Sequence, residues 1–536
     1  MQMKTECVRK RLSAITVLMG VIAPAALLPL TVDAQIASTR AEDNKDTLIY
    51  LHSIEPSTLY QWWTQSEYPR RQILDGLVFA DSNGKLHPWL ATSWKQNGTV
   101  WTLTLRKGVV FSDGTPFNAA TVVRNFDFWM KISTSVPDSF FKSARAIDDY
   151  TVEIHTTVPQ PWLPQLLTAA AFGINSTPSL DRPFKEISEN PIGSGPFILK
   201  EWKRGEEIVL VRNDKYEWGP ESTHGGPAYL KEIDWKFVPD ANARWIALEH
   251  GQADLIYDPP STRWKEANDK YLVSRRIAPG RGQALSFNTG AGPFVDERVR
   301  QAFAYASNRK AIVQAVFRGS VPFEGNGAYS PTTPDYVDLD NRYPLDRDKA
   351  VKLLEAAGWT TVNGDGYRVK DGKVLEVSFP YSPLAVNAEG ATALQALQAE
   401  EKKVGFKVDL HALTPTDIAA GRYTGANEYD LYIGYWTWYA PSVLSITYRP
   451  ASKDAPNGHN RVRSTDWGLE NAIIAAHEDP DPKSRFAKLA VIQDHISDDA
   501  LAIGFYSSTY TLVGQKYVKG LIHNVLGPIF YEVRKD

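Results

Sequence analysis

"QALSFNTGAGPFVDERVRQAFAYASNRKAIVQAVFRG", residues 283 to 319, reads as one strand followed by two helices. "QALSFNTG" (283–290) is an apolar run of strand length. Asp296 then precedes "ERVRQAFAYAS" and Asn308 precedes "RKAIVQAVFRG", and both residue types cap helices because their side chains accept from the free backbone N–H groups of a first turn. Gly319 is a terminator. The rhythm continues in "DRDKAVKLLEAAG" (346–358), where Ala350, Val351, Leu353, Leu354 and Ala357 form one stripe and Gly358 ends the helix. "LEVSFPY" (375–381), a helix over "ATALQALQAEEKKVG" (391–405), "FKVDLHAL" (406–413) and the strand opening "YDLYIGYWTWYAP" (429–441) come next. Strands alternating with helices mark an α/β domain.

Upstream the pattern is mixed, without regular βαβ alternation. "TLIYLHS" (47–53) is the first strand, and "QIASTRAEDNKD" (35–46) before it is a polar, aperiodic, flexible leader. Asn97-Gly98 is a turn between two apolar-rich runs, "WTLTLR" alternates with period two, and Asp113-Gly114 marks another turn. Asn118 caps "AATVVRNFDFWMK". Strand signals return at "YTVEIHT" (150–156), "GPFILKEW" (195–202) and "EIVLVRN" (207–213).

The chain has 536 residues, 43% of them hydrophobic and 23% charged, which suits a folded protein of several units and neither a disordered chain nor a polytopic membrane one. Lys4, Arg9, Lys10 and Arg11 precede the apolar "LSAITVLMGVIAPAALLPL" (12–30), and Val32 and Ala34 are the small or tolerated residues a signal peptidase reads. Residues 1–34 are therefore a signal peptide cleaved after Ala34, and the mature chain is exported; an uncleaved anchor is the alternative. The one cysteine, Cys7, lies inside that segment, so the mature chain has no disulfide, thiolate nucleophile or Cys metal site. Loss of Lys4, Arg9, Lys10, Arg11, Glu6 and Asp33 moves the formal charge from -3 to -5, which gives no case for nucleic-acid binding.

Five segments in order carry a resemblance: "GLVFADSNGKLHPWLATSW" (76–94), "WTLTLRKGVVFSDGTPFNAATV" (101–122), "NPIGSGPFILKEWKRGEEIVLVRNDKYEWG" (190–219), "NTGAGPFVDERVRQAFAYASNRKAI" (288–312) and "YPLDRDKAVKLLEAAGW" (343–359). From about residue 47 to its end the chain resembles the family 5 solute-binding proteins of ABC importers, which include oligopeptide-, dipeptide- and nickel-binding receptors. The resemblance implies an α/β, two-lobed periplasmic binding protein of the cluster C type with a hinge and an interlobe ligand cleft. Lobe I would span 47–280, lobe II 281–501, and 502–536 would return to complete lobe I. It also implies a monomer that captures a small solute, by default a peptide, and delivers it to permease subunits in the inner membrane served by cytoplasmic ATPases. A nickel chelate, an opine or an oligosaccharide is the alternative cargo.

The same resemblance places a Trp-containing loop at the cleft, where this chain has Tyr435, Trp436, Trp438 and Tyr439. Strand alternation separates Trp436 and Trp438 from Tyr435 and Tyr439, so some of these rings are core and some face the cleft. Trp438, Trp436 and Tyr439 are the ligand-binding candidates from this loop. Trp62 and Glu67, with Tyr68 behind, are candidates from "LYQWWTQSEYPRRQILDGL" (59–77), and Phe140 and Phe530 complete the set. Departures matter too. "WTWYAPS" lacks the aspartate that peptide receptors place after this strand; Gly173 stands where nickel-chelate receptors use an arginine; and no histidine lies near 453. The pocket reads as aromatic and nearly neutral, with few charge-assisted bonds for an anionic chelate.

No enzyme motif emerges. The ten histidines are scattered, with no HExxH, and "PIGSG" is no nucleophile elbow because Ser194 lacks a glycine two residues before it. "NGDGYRVKDGK" (363–373) reads as a hairpin turn better than as a calcium loop. Neither a metal nor a cofactor is expected, and a secreted hydrolase is the remaining alternative class.

Overall fold

In the computed structural model of the chain, residues 44–60, 64–132, 141–420, 428–438, 440–449, 460–464, 466–524 and 526–536 are described. Thr47–His52 is almost entirely buried at the centre of a seven-stranded sheet, between the parallel strands Glu232–Phe237 and Leu255–Tyr257. Covered on both faces, it reads as a continuous apolar run. Glu207–Arg212 and Phe197–Lys203 extend one side. Thr509–Gly514 and Leu272–Ile277 extend the other, so the end of the chain is built into the sheet that the first strand begins.

Ala91–Asn97 and Val100–Leu105 form the hairpin expected at Asn97-Gly98, within a four-stranded antiparallel sheet completed by Thr151–Thr156 and Phe141–Asp148. Asn118 caps Ala119–Ile132, its Oδ1 accepting from the Thr121 N–H at 3.0 Å. In "IGSGPF", the Gly195 N–H donates to the Ile73 carbonyl at the end of the helix Thr64–Ile73. Ser194 Oγ between the glycines donates to the buried Asp75 Oδ2 at 2.9 Å, a structural bond.

The second half has its own sheet, with Gly280–Phe287 between the antiparallel Leu431–Thr437 and Ala502–Tyr506. Asp430 ties this sheet to the parallel pair Glu376–Tyr381 and Lys407–Ala412: its Oδ2 accepts from the Ser378 N–H at 2.8 Å and its own N–H donates to the Ser378 carbonyl. Glu297–Ala306 and Arg309–Phe317 start at the side chains of Asp296 and Asn308, as read from the sequence. Phe287, Phe294, Phe303 and Phe406 are the aromatic centre of the core under them. Asn288 and Arg300 are structural: Asn288 Nδ2 donates to the Tyr429 carbonyl, and Arg300 donates to the carbonyls of Asp499 and Phe294.

The chain passes between the two sheets twice, at residues 278–279 and 507–508. Ala502–Tyr506 pairs with Gln283–Ser286 in the second sheet, and the return to the first begins only at Thr509.

Candidate functional site

The crossing is tightly built. The Ala278 N–H donates to the Ser508 carbonyl at 2.8 Å, and the Trp438 N–H to the Pro279 carbonyl at 3.0 Å. Gly280 follows at φ 103°, and a Cβ there would collide with the Trp436 carbonyl oxygen and the Trp438 nitrogen. Only glycine fits both the left-handed backbone and the close approach.

Around this crossing the two sheets share an aromatic wall. The parallel strands Thr47–His52 and Leu255–Tyr257 end side by side, and the carboxyl ends of parallel strands are where such sheets present ligand-binding space. There the His52 ring stacks on Tyr257, with centroids 4.4 Å apart and planes at 21°. Tyr68 meets His52 and Tyr510 edge-on. The Tyr510 hydroxyl lies 3.1 Å from Thr437 Oγ1 at the end of the second sheet's outer strand. Tyr257 is held well above the ordinary phenol range, first by burial and then by Asp258, Tyr510, Tyr50 and Tyr435. Burial lowers His52 to about 3, partly opposed by its bond to the Ile54 carbonyl, so the imidazole is neutral, and its buried Nε2 has no hydrogen-bond partner among the described residues.

Glu324 lies beneath the crossing. It is buried, and its Oε2 accepts from Ser507 Oγ at 2.9 Å. Gly282 leaves the space its carboxyl occupies, since a Cβ there would stand 2.5 Å from Oε2. Burial pushes this carboxyl up to about 8, against the bonds from Ser507 and the Gly282 N–H. Residues around Glu324 bridge to the strand Ala502–Tyr506, at Phe323 with Tyr506 and at Asn326 with Ile503.

The sequence profile of the bacterial extracellular solute-binding proteins, family 5, matches residues 85–457 of this chain. The chain belongs to this family. It is 27% identical over 419 residues to the nickel-binding periplasmic protein of Escherichia coli K12, covering 73% of this chain and 74% of that one. With the glutathione-binding protein GsiB of Salmonella choleraesuis it is 30% identical over 456 residues, 81% and 83% of the two chains. The solved structure of NikA from Brucella suis in complex with Fe(III)-EDTA superposes with a TM-score of 0.76 at 23% identity, over 91% of this chain and all of that one. The two-lobed α/β architecture and the role of an ABC importer's periplasmic solute-binding component are thus both established.

The solute-binding protein distributes its sequence-expected site residues unevenly. Trp438 is buried just beyond the end of its strand, its backbone on Pro279 and its indole Nε1 donating to Ser442 Oγ at 2.8 Å. Trp436 is half-buried, opposite Arg281 in the strand register, and Tyr435 is half-buried beside it. Phe530 is a core residue: it is fully buried, edge-on to Tyr50 and Trp235, because the return segment carries it beneath the first sheet. Tyr68 is fully buried on the helix Thr64–Ile73. Glu67 precedes it on that helix, and its side chain, like Trp62, Phe140 and Tyr439, lies outside the described residues. Sequence reading missed His52, Tyr257 and Tyr510, each at a strand end beside the crossing. The rule that parallel strands bind at their carboxyl ends could have found the first two.

Among the described residues no group of three or more His, Cys, Asp or Glu side chains is placed to hold a metal ion, and no helix is long and apolar enough to cross a membrane.

Proposed function

We propose that this protein captures peptides, or small solutes with peptide-like groups, between lobes spanning about 44–278 with 508–536 and about 279–507. The observation that supports this reading is the aromatic wall at the crossing, with His52, Tyr257 and Tyr510 from one sheet and Tyr435, on the same strand face as Thr437, from the other. A solute touching both sides makes its full set of contacts only when the lobes are closed, so binding shifts the population toward closure. Trp436, Tyr435 and the edge of Trp438 are the second sheet's contribution, and Trp62, Glu67, Phe140 and Tyr439 are further contacts in this reading. The relative whose name gives glutathione as its ligand, itself a tripeptide, supports the peptide class.

A nickel chelate is the second reading, motivated by the nickel-binding relative. Against it stands Gly173, where a Cβ would lie 2.6 Å from Leu74 Cβ, leaving no room for an anion-binding arginine. The mature chain begins after Ala34, acts as a monomer with permease and ATPase partners, and performs no chemistry on its cargo.

Native mass spectrometry of residues 35–536 purified from a periplasm tests this. Peptide-sized adducts, recovered intact after incubation, are the expected result. A single metal-containing mass would establish the chelate reading, and cleavage of a bound peptide would establish a hydrolase.

A further inference from the structure

Asp258 follows the strand Leu255–Tyr257 in the left-handed region, at φ 50°. Its main chain is pinned from both sides: its N–H donates to the Thr511 carbonyl at 2.8 Å, and its own carbonyl accepts from Arg244 Nη2 at 2.7 Å. The side chain is exposed although the residue is ringed by protein. Arg244 lies close by, but its N–H groups go to the carbonyls of Val238, Pro239, Tyr257 and Asp258, none to the carboxylate. The Asp258 carboxylate therefore makes no hydrogen bond or ion pair among the described residues.

What surrounds this carboxylate comes from both lobes. Tyr257 beside it carries the stacked His52 ring and lies within electrostatic reach of Tyr435. Across from it is Glu389, at the first turn of the helix Ala388–Lys402, whose Oε1 accepts from the Ser261 N–H at 3.1 Å. Among the described residues Glu389 adds negative potential at Asp258 and Arg244 adds positive potential. His52 Nε2 on the wall and Ser508 Oγ at the crossing are buried without a hydrogen-bond partner among the described residues.

We propose that Asp258 receives a positively charged group of the solute, an ammonium or guanidinium. This rests on the solute-receptor reading above and narrows its ligand class to solutes bearing a cation. An accessible carboxylate that makes no hydrogen bond or ion pair among the described residues, next in the chain to Tyr257 of the wall, is free to form charge-assisted bonds with such a group. It also supplies, from the first sheet, the acid that "WTWYAPS" lacks after the second sheet's strand.

The test uses the mature protein and its Asp258→Asn variant. Asparagine tolerates the left-handed backbone, so the variant should fold, and equal melting temperatures check that. Trialanine amide, putrescine and arginine amide are titrated as cationic probes, with N-acetyltrialanine amide and maltotriose as neutral ones. The expected result is binding of at least one cationic probe, weakened about tenfold or more in the variant, with the neutral probes weak in both. Neutral probes binding as well as cationic ones, or a variant of unchanged affinity, would overturn the proposal. So would silence from every cationic probe. Co-purified solutes in the native spectra would then still uphold the receptor reading, whereas their absence as well would remove both.

Discussion

The backbone N–H of Ala278 donates to the carbonyl of Ser508 at 2.8 Å, joining the two strands by which the chain passes between its sheets. Any relative motion of the lobes has to be absorbed by the residues next to this bond, and Gly280 is the most constrained of them. Gly280→Ala combines an unfavourable left-handed backbone with a collision against the 436–438 main chain. The expected loss is about 2 to 4 kcal/mol, read from urea unfolding. An unchanged midpoint would show that the crossing is looser than this geometry requires.

Glu324 makes stability depend on pH. Its folded pKa of about 8 lies above the 4.5 of a free glutamate, so the folded state keeps a proton that the unfolded chain releases. This contribution is complete below about pH 4.5 and is lost as pH rises toward 8. Glu324→Gln keeps the shape without the charge. The variant should match the parent near pH 5 and exceed it at pH 8.5, by up to about 4 kcal/mol. Parallel stability curves across that range would count against a protonated Glu324.

Features fixed by neighbouring residues were readable in the sequence. The caps Asn118, Asp296 and Asn308 act within one helical turn, and each was found where it was expected. The wall was harder to read, because its members are far apart in sequence. "LAIGFY" is strand-like in either sheet, and only its pairing with Gln283–Ser286 assigns Ala502–Tyr506 to the second. Phe530 looked available as a cleft aromatic until its packing on Tyr50 and Trp235 was seen. Asp258, before two prolines, has the sequence of a solvated turn. Its backbone bond to Thr511 and the electrostatic influence of Glu389 come from residues far along the chain, which nothing local announces.

The penultimate residue closes the first sheet. Lys535 Nζ donates to the Thr47 carbonyl at 2.7 Å and to Asp254 Oδ2 at 3.0 Å, and both side chains of the pair are buried. Asp254 also accepts from the Ile49 N–H and the Tyr517 hydroxyl. Lys535→Met leaves the Asp254 charge buried without its cation, at an expected cost of about 3 to 5 kcal/mol. Adding Asp254→Asn should recover part of that loss. Simple additivity of the two substitutions would mean the pair is not coupled.

Variants of Ser442, Trp438 and Trp436 separate packing from the proposed contact with solute. Ser442→Ala removes the acceptor of the buried indole N–H and should cost about 1 to 3 kcal/mol, with the ring still held in the core cluster it belongs to. Trp438→Ala removes the ring itself, for about 3 to 5 kcal/mol. Because Trp438 is largely buried, Ser442→Ala should lower the melting temperature while leaving solute affinity within about twofold, since a satisfied partner sets stability and the exposed edge sets contact. Trp436→Ala should do the reverse: its half-buried ring gives up less core packing, and its loss should weaken binding more than folding. Affinity that followed Ser442→Ala and ignored Trp436→Ala would move the contact surface from Trp436 to Trp438.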